Sequence, residues 1–188
     1  IAVLEKGQVR VEKCVGRLDA LRQKLEGNMP ESVIGIGHTR WATHGRPSDR
    51  NSHPHTDGSG KFVVVHNGII ENYLALKEEL IAKGVEFSSD TDTEVVAHLM
   101  ADLFDGDMES TVKKVLKVIK GSYSLVFMCE AEQDKIICTK KDNPLGIGLG
   151  EGENFIASDI PAIINHTRRT FIMSDGEIAT VTKDGVWV

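Results

Sequence analysis

Residues 35–45 read Gly-Ile-Gly-His-Thr-Arg-Trp-Ala-Thr-His-Gly, which places a guanidinium (Arg40), an indole (Trp41), two hydroxyls (Thr39, Thr43) and two imidazoles (His38, His44) side by side. A planar guanidinium holds a carboxylate through two parallel hydrogen bonds, although a polar strand end that serves only structure can have the same composition. Further along, Val63-Val64-Val65-His66-Asn67-Gly68 is an apolar strand pattern that ends in an amide side chain and a glycine. Asn-Gly is a common turn dipeptide. Equally, the side-chain N–H of Asn67 and the backbone N–H of Gly68 can converge on one oxygen, with no Cβ in the way, and stabilise developing negative charge.

Ser89-Asp90-Thr91-Asp92-Thr93-Glu94 precedes an apolar run. Thr91 with Glu94 three residues on is a capping-box pattern. Asp90 and Asp92 add more acid than a cap requires, so one of them could face a cationic ligand group. His38, His44, His53 and His55 raise a metal site as a rival. His53-Pro54-His55 has close ligand spacing, but the stretch contains no HExxH and no acidic partner at helical spacing, so no metal is expected.

These groups need elements to hold them. Residues 1–5 and 8–15 flank Lys6-Gly7 as a hairpin, and Leu18, Leu21 and Leu25 make a short amphipathic helix that stops at Gly27 and Pro30. Val33, Ile34 and Ile36 suggest a strand running into the first polar cluster, and 61–66 a second strand ended by Asn67-Gly68. A helix over 71–83 carries Leu74, Leu76, Leu80 and Ile81 as its apolar stripe, and helices around 92–104 and 108–120 follow. Short apolar runs at 122–130, 135–139, 145–149 and 155–157 read as strands, interrupted by a helix at about 160–165. The end, 177–188, folds back through Lys183-Asp184-Gly185 as a hairpin. Strands at both ends with helices between them argue for layered sheets flanked by helices.

The 188 residues fit one domain with a core of its own. A net charge of −6 with mixed signs leaves no basic stripe for nucleic acid. No apolar run approaches membrane-spanning length, and no signal-peptide pattern opens the chain. Cys14, Cys129 and Cys138 are odd in number and lack CxxC spacing, which suits reduced thiols in a cytoplasm. The opening Ile1-Ala2-Val3-Leu4 reads as a strand already under way, so residues are expected upstream.

Taken together, the 38–45 run, Asn51-Ser52-His53-Pro54-His55, Val65-His66-Asn67-Gly68-Ile69-Ile70-Glu71-Asn72, Thr91-Asp92-Thr93-Glu94 and the Gly-Glu-Asn-Phe-Ile-Ala-Ser-Asp run at 152–159 closely resemble the glutaminase domain of the glutamine–fructose-6-phosphate amidotransferases. The resemblance covers essentially the whole chain, 1–188. The related phosphoribosyl-pyrophosphate amidotransferase glutaminases share the fold but usually differ around the arginine, so Trp41-Ala42-Thr43-His44 favours the sugar enzymes.

The resemblance implies an α+β fold, a four-layer αββα sandwich of the N-terminal-nucleophile hydrolase type, incomplete at the N-terminus. It implies a cysteine at the mature N-terminus that attacks the glutamine side-chain amide with its own α-amine as base. The ammonia passes to a sugar-isomerase domain that makes glucosamine 6-phosphate from fructose 6-phosphate, in a homo-oligomeric enzyme without a cofactor. Carried over to this sequence, Arg40 would clamp the α-carboxylate of L-glutamine, Asp92 would take its α-ammonium, and Asn67 and Gly68 would form the oxyanion hole. Thr43, His44 and His53 would line the pocket, and Trp41 would sit at the ammonia exit. None of the three cysteines leads the chain, so residues 1–188 alone are expected to be inactive. A non-catalytic glutamine-binding module that keeps the pocket is the other class of function.

Overall fold

The computed structural model describes residues 1–40 and 43–188. The chain opens with β1 (Ala2–Glu5) and β2 (Gln8–Val11), joined through Lys6 and Gly7 at positive φ. α1 (Leu18–Lys24) follows, and β3 (Gly35–Ile36) returns to pair with β1. Then come β4 (His55–Thr56), β5 (Phe62–Ile70), α2 (Tyr73–Ala82), α3 (Glu94–Leu103) and α4 (Met108–Val118). The second half is β6 (Gly121–Cys129), β7 (Glu132–Lys141), β8 (Gly146–Leu149) and β9 (Asn154–Ala157), a 3-10 turn at Ile160–Ala162, then β10 (Thr170–Ile172), β11 (Ile178–Thr182) and β12 (Val186–Trp187).

An antiparallel six-stranded sheet, ordered β12-β11-β7-β6-β5-β4, forms the centre, and period-two alternation divides its side chains between two cores. Phe62, Val64, Ile70, Leu125, Phe127 and Ile137 face α2, α3 and α4. Val63, Val65, Val126, Met128, Cys138, Ala179 and Val181 face the two small sheets, β2-β1-β3 and β10-β8-β9. Burying each Val, Leu, Ile, Phe or Met side chain among these contributes roughly 1.5–3 kcal/mol. The outermost layer is thin. A Cβ on Gly148 of β8 would come within 2.8 Å of Ile163 and Thr167 side chains, so the bare strand lets the turn after the 3-10 segment lie close against the small sheet.

Several elements differ from the sequence expectation. The 33–36 strand shrinks to Gly35–Ile36: the Leu4 amide still reaches the Ile34 carbonyl at 3.3 Å, but the Leu4 carbonyl is taken by the Ser32 hydroxyl, and Val33 is left exposed. In α2, Leu76 and Leu80 are buried, whereas Leu74 and Ile81, on the opposite side of the helix, stay in solvent. The expected 160–165 helix is a single 3-10 turn, and β10 was not anticipated because three residues carry too little periodicity. β2 ends at Val11, so Cys14 lies outside it. The most consequential difference is β5. It does not stop before Asn67-Gly68 but runs through both to Ile70, paired residue for residue with β6.

Candidate active site

Because β5 continues, Asn67 and Gly68 stand opposite Ser124 and Tyr123. Glu71 N–H donates to the Lys120 carbonyl, and alternation along an antiparallel ladder then turns the Ile70 and Gly68 amides away from β6. β4 has ended by this point, since it pairs only with Val63 and Val64. The Ile70 N–H is taken up by Asp92 Oδ2 at 2.7 Å. Gly68 borders an open cavity of about 370 Å³. No other residue fits there: φ is +127°, and a Cβ would stand 2.1 Å from the Ser122 carbonyl oxygen.

Asp90 and Asp92 diverge. Asp90 is exposed; its carboxylate accepts from Arg50 at 2.5 Å and from Asn51 Nδ2 at 3.2 Å, and its amide donates to Asn51 Oδ1. It therefore pins the 43–54 loop. Asp92 is buried beside the cavity, one oxygen on the Ile70 amide and the other 3.9 Å from His44 Nδ1. The expected Thr91–Glu94 capping box does not form: Thr91 Oγ1 contacts Ser89 Oγ and His55 Nε2, and Glu94 turns back onto Ser88 and Ser89. Ser89, buried away from water, and its neighbour Ser88 take the carboxylate a cap would have used.

Arg40 follows β3 and reaches the same cavity, where its Nη2 donates to the carbonyls of His44 and Gly45. Imidazoles crowd around it. The His38 and His53 ring centroids are 4.3 Å apart, and those of His53 and His55 4.8 Å. Burial pushes all three below the ordinary histidine range, His55 to about 3, with the Arg40 charge adding to the effect. His66 drops to about 4 through burial, against the pull of Asp92. These rings are neutral at pH 7. Among the described residues no group of three or more His, Cys, Asp or Glu is arranged to hold a metal ion.

The cavity is lined by Arg40, Thr43, His44, His53, Asn67, Gly68 and Asp92, which the structure brings together from four separate stretches of sequence. Trp41 lies outside the described residues. Sequence reasoning considered His38 only as a candidate metal ligand and gave no site role to His66, Ser122 or Asn143; all four border the cavity. Asn143 follows β7 and reads as a turn residue. Its Nδ2 is buried without a partner among the described residues and would lie 2.7 Å from a Cβ on residue 68.

A six-stranded antiparallel sheet packed between a helical layer and two smaller sheets, with Asn67, Gly68, a buried carboxylate and a guanidinium at one cavity, is an N-terminal-nucleophile hydrolase fold. The chain belongs to the glutamine amidotransferase domain family, whose model matches residues 38–165. It is 53% identical over 186 residues to glutamine–fructose-6-phosphate aminotransferase [isomerizing] of Caldanaerobacter subterraneus and 52% identical to that of Aquifex aeolicus, covering 99% of this chain in each case. The chain spans 31% of the length of these relatives. Among solved structures, it is similar to glutamine phosphoribosylpyrophosphate amidotransferase from B. subtilis, with a TM-score of 0.82 and 26% identity over 99% of this chain and 41% of that one.

Proposed function

We propose that the cavity binds L-glutamine and supports hydrolysis of its side-chain amide, releasing ammonia for a sugar-isomerase domain that makes glucosamine 6-phosphate from fructose 6-phosphate. The observation that carries this is electrostatic. Asp92 is a buried carboxylate with no lysine or arginine in ion-pair reach among the described residues, and Arg40 borders the same cavity. An unpaired buried charge is costly, and a zwitterionic amino acid offsets it, its α-ammonium at Asp92 and its α-carboxylate at Arg40. The cavity, at about 370 Å³, is at the small end of the range usual for ligand sites, about 300–1,000 Å³.

The side-chain amide then lies toward Asn67 and Gly68, whose N–H groups meet the carbonyl oxygen as it becomes an oxyanion. Thr43, His44 and His53 shape the pocket, and the family resemblance assigns Trp41 the ammonia-exit role. The nucleophile is a cysteine at the mature N-terminus, supplied from outside residues 1–188. Cys129 and Cys138 are buried with their thiols pushed up, Cys138 to about 12, and Cys14 borders a neighbouring cavity. The α-amine takes the thiol proton, sulfur bonds to the amide carbon, and the proton passes to the leaving nitrogen. Ammonia departs, and water cleaves the thioester to glutamate. The 53% and 52% relatives favour the sugar enzyme over the phosphoribosyl-pyrophosphate one at 26%. Free cysteines fit a cytoplasmic setting.

The test is ammonia release from three versions: residues 1–188, the same chain preceded by a cysteine-led segment, and that segment with alanine leading. Turnover is expected only from the second. Turnover by the first or third would place the nucleophile inside this sequence. A second version that binds glutamine in calorimetry without turnover would make the chain a glutamine-binding module.

A further inference from the structure

A side-chain amide helps an oxyanion only if its nitrogen faces the reacting oxygen. Turned about, Asn67 would offer Oδ1, an acceptor, and would repel the same charge. The backbone of β5 does not decide between the two, because both rotamers occupy the same volume. Something outside β5 must.

His38 is placed to do so. Its Nε2 lies 2.7 Å from Asn67 Oδ1. An amide oxygen only accepts, so the imidazole nitrogen facing it must carry the proton. The remainder of the ring agrees. Nδ1 is buried and makes no hydrogen bond to a described residue, whereas a proton on Nε2 has Asn67 Oδ1 as its acceptor. The other tautomer would set two lone pairs against each other at 2.7 Å. Stacking on His53, centroid to centroid 4.3 Å, holds the ring plane. On the far side, no described protein group takes up Asn67 Nδ2, and Asn67 borders the cavity.

We propose that His38 is a positioning residue for the hydrolysis: by donating from Nε2 to Asn67 Oδ1 it turns the amide nitrogen of Asn67 into the cavity and makes that residue an oxyanion donor. This rests on the reading of Asn67 as an oxyanion donor. His38 touches no reacting atom. Groups that orient metal-ligating side chains through one hydrogen bond change activity about 10- to 100-fold when removed, and the same order is expected for His38.

The experiment is a mutant cycle in the full-length protein, with kcat and KM for glutamine hydrolysis measured for His38→Leu, His38→Gln, Asn67→Ala and the His38→Leu/Asn67→Ala pair. His38→Leu should lower kcat about 10- to 100-fold with KM within about threefold. Glutamine at 38 carries an N–H donor near the position of Nε2 and should recover most of the loss. In the Asn67→Ala background, His38→Leu should add nothing, since the group it orients is gone. A further loss there, or a wild-type kcat for His38→Leu while Asn67→Ala is impaired, overturns the proposal. A wild-type kcat for Asn67→Ala instead overturns the oxyanion reading on which it rests. Should the leucine variant fail to fold, the imidazole ¹⁵N–¹H correlation spectrum of the unmutated protein decides. A proton on Nε2 of His38 is expected, and a proton on Nδ1 alone sinks the idea.

Discussion

Glu94 and Asp92 lie two positions apart, both are carboxylates and both are buried, yet their surroundings differ completely. Glu94 Oε1 accepts from the Ser88 amide and hydroxyl at 2.7 and 2.8 Å, and Oε2 from the Ser89 amide and hydroxyl at 2.6 and 2.5 Å. Its carboxyl feels burial pushing it up, but the His98 ring and the two serines together hold it well below the usual range. Asp92 has one hydrogen bond, from Ile70, and its other oxygen looks toward the cavity. Around the cavity His38 Nδ1, His44 Nδ1, His53 Nδ1, His66 Nε2 and Asn143 Nδ2 are buried without partners among the described residues, whereas beside Glu94 His98 Nε2, 3.5 Å from its Oε1, is in that condition. Satisfied polar groups rigidify a fold, and unsatisfied ones gathered at a cavity fit the glutamine site proposed above.

That contrast can be broken by exchanging the effects of mutation. Asn67→Ala should lower turnover of the full-length protein about 10²- to 10³-fold while leaving urea unfolding unchanged. A near-normal kcat would return Asn67 to an ordinary strand position. Glu94→Ala should do the reverse. It strands the two buried donors of Ser89 and frees two part-buried ones on Ser88, and a loss of about 2–3 kcal/mol in unfolding free energy is expected, with KM for glutamine little changed in the folded fraction. A stable Glu94→Ala protein that loses glutamine binding would move Glu94 into the site.

Arg40→Lys sharpens the ligand side. An ammonium cannot reproduce the two-point fork, and losing one charge-assisted hydrogen bond should raise KM about tenfold, with kcat changing less. An unchanged KM would remove Arg40 from the carboxylate site. The smallest effect near neutrality is the acid response. His53, His55 and His66 have folded pKa values below the unfolded one near 6.5, chiefly through burial, so the unfolded chain binds more protons in acid. Their contribution is flat above about pH 6.5 and turns against the fold as pH falls from there toward about 3. Melting followed by circular dichroism should show little change between pH 8 and 7 and a falling midpoint below 6.5. A midpoint that rises on acidification would show that these rings are charged in the fold.

The sequence by itself determined the parts that local periodicity and residue chemistry can encode. The apolar sets of α3 and α4 place those helices to within about two residues at each end. The strands at β6, β7 and β9 stand out for the same reason. Arg40, Asn67, Gly68 and Asp92 were visible as chemistry, and resemblance to a family attached roles to them. The tertiary structure decided what depends on partners distant in the chain. Asn-Gly has turn chemistry in isolation, but nine pairs with β6 carry β5 straight through it and present both amides at the sheet edge. Asp90 and Asp92 were separated by Asn51, some forty residues earlier, which claims Asp90 for its loop and leaves Asp92 at the cavity. Asn143 reaches the cavity only because β7 returns beside β6, and the orientation of Asn67 depends on a histidine in another strand's loop. A side chain's type is local information. The direction it faces and the groups left unpaired around it are set by packing between elements that are remote in sequence.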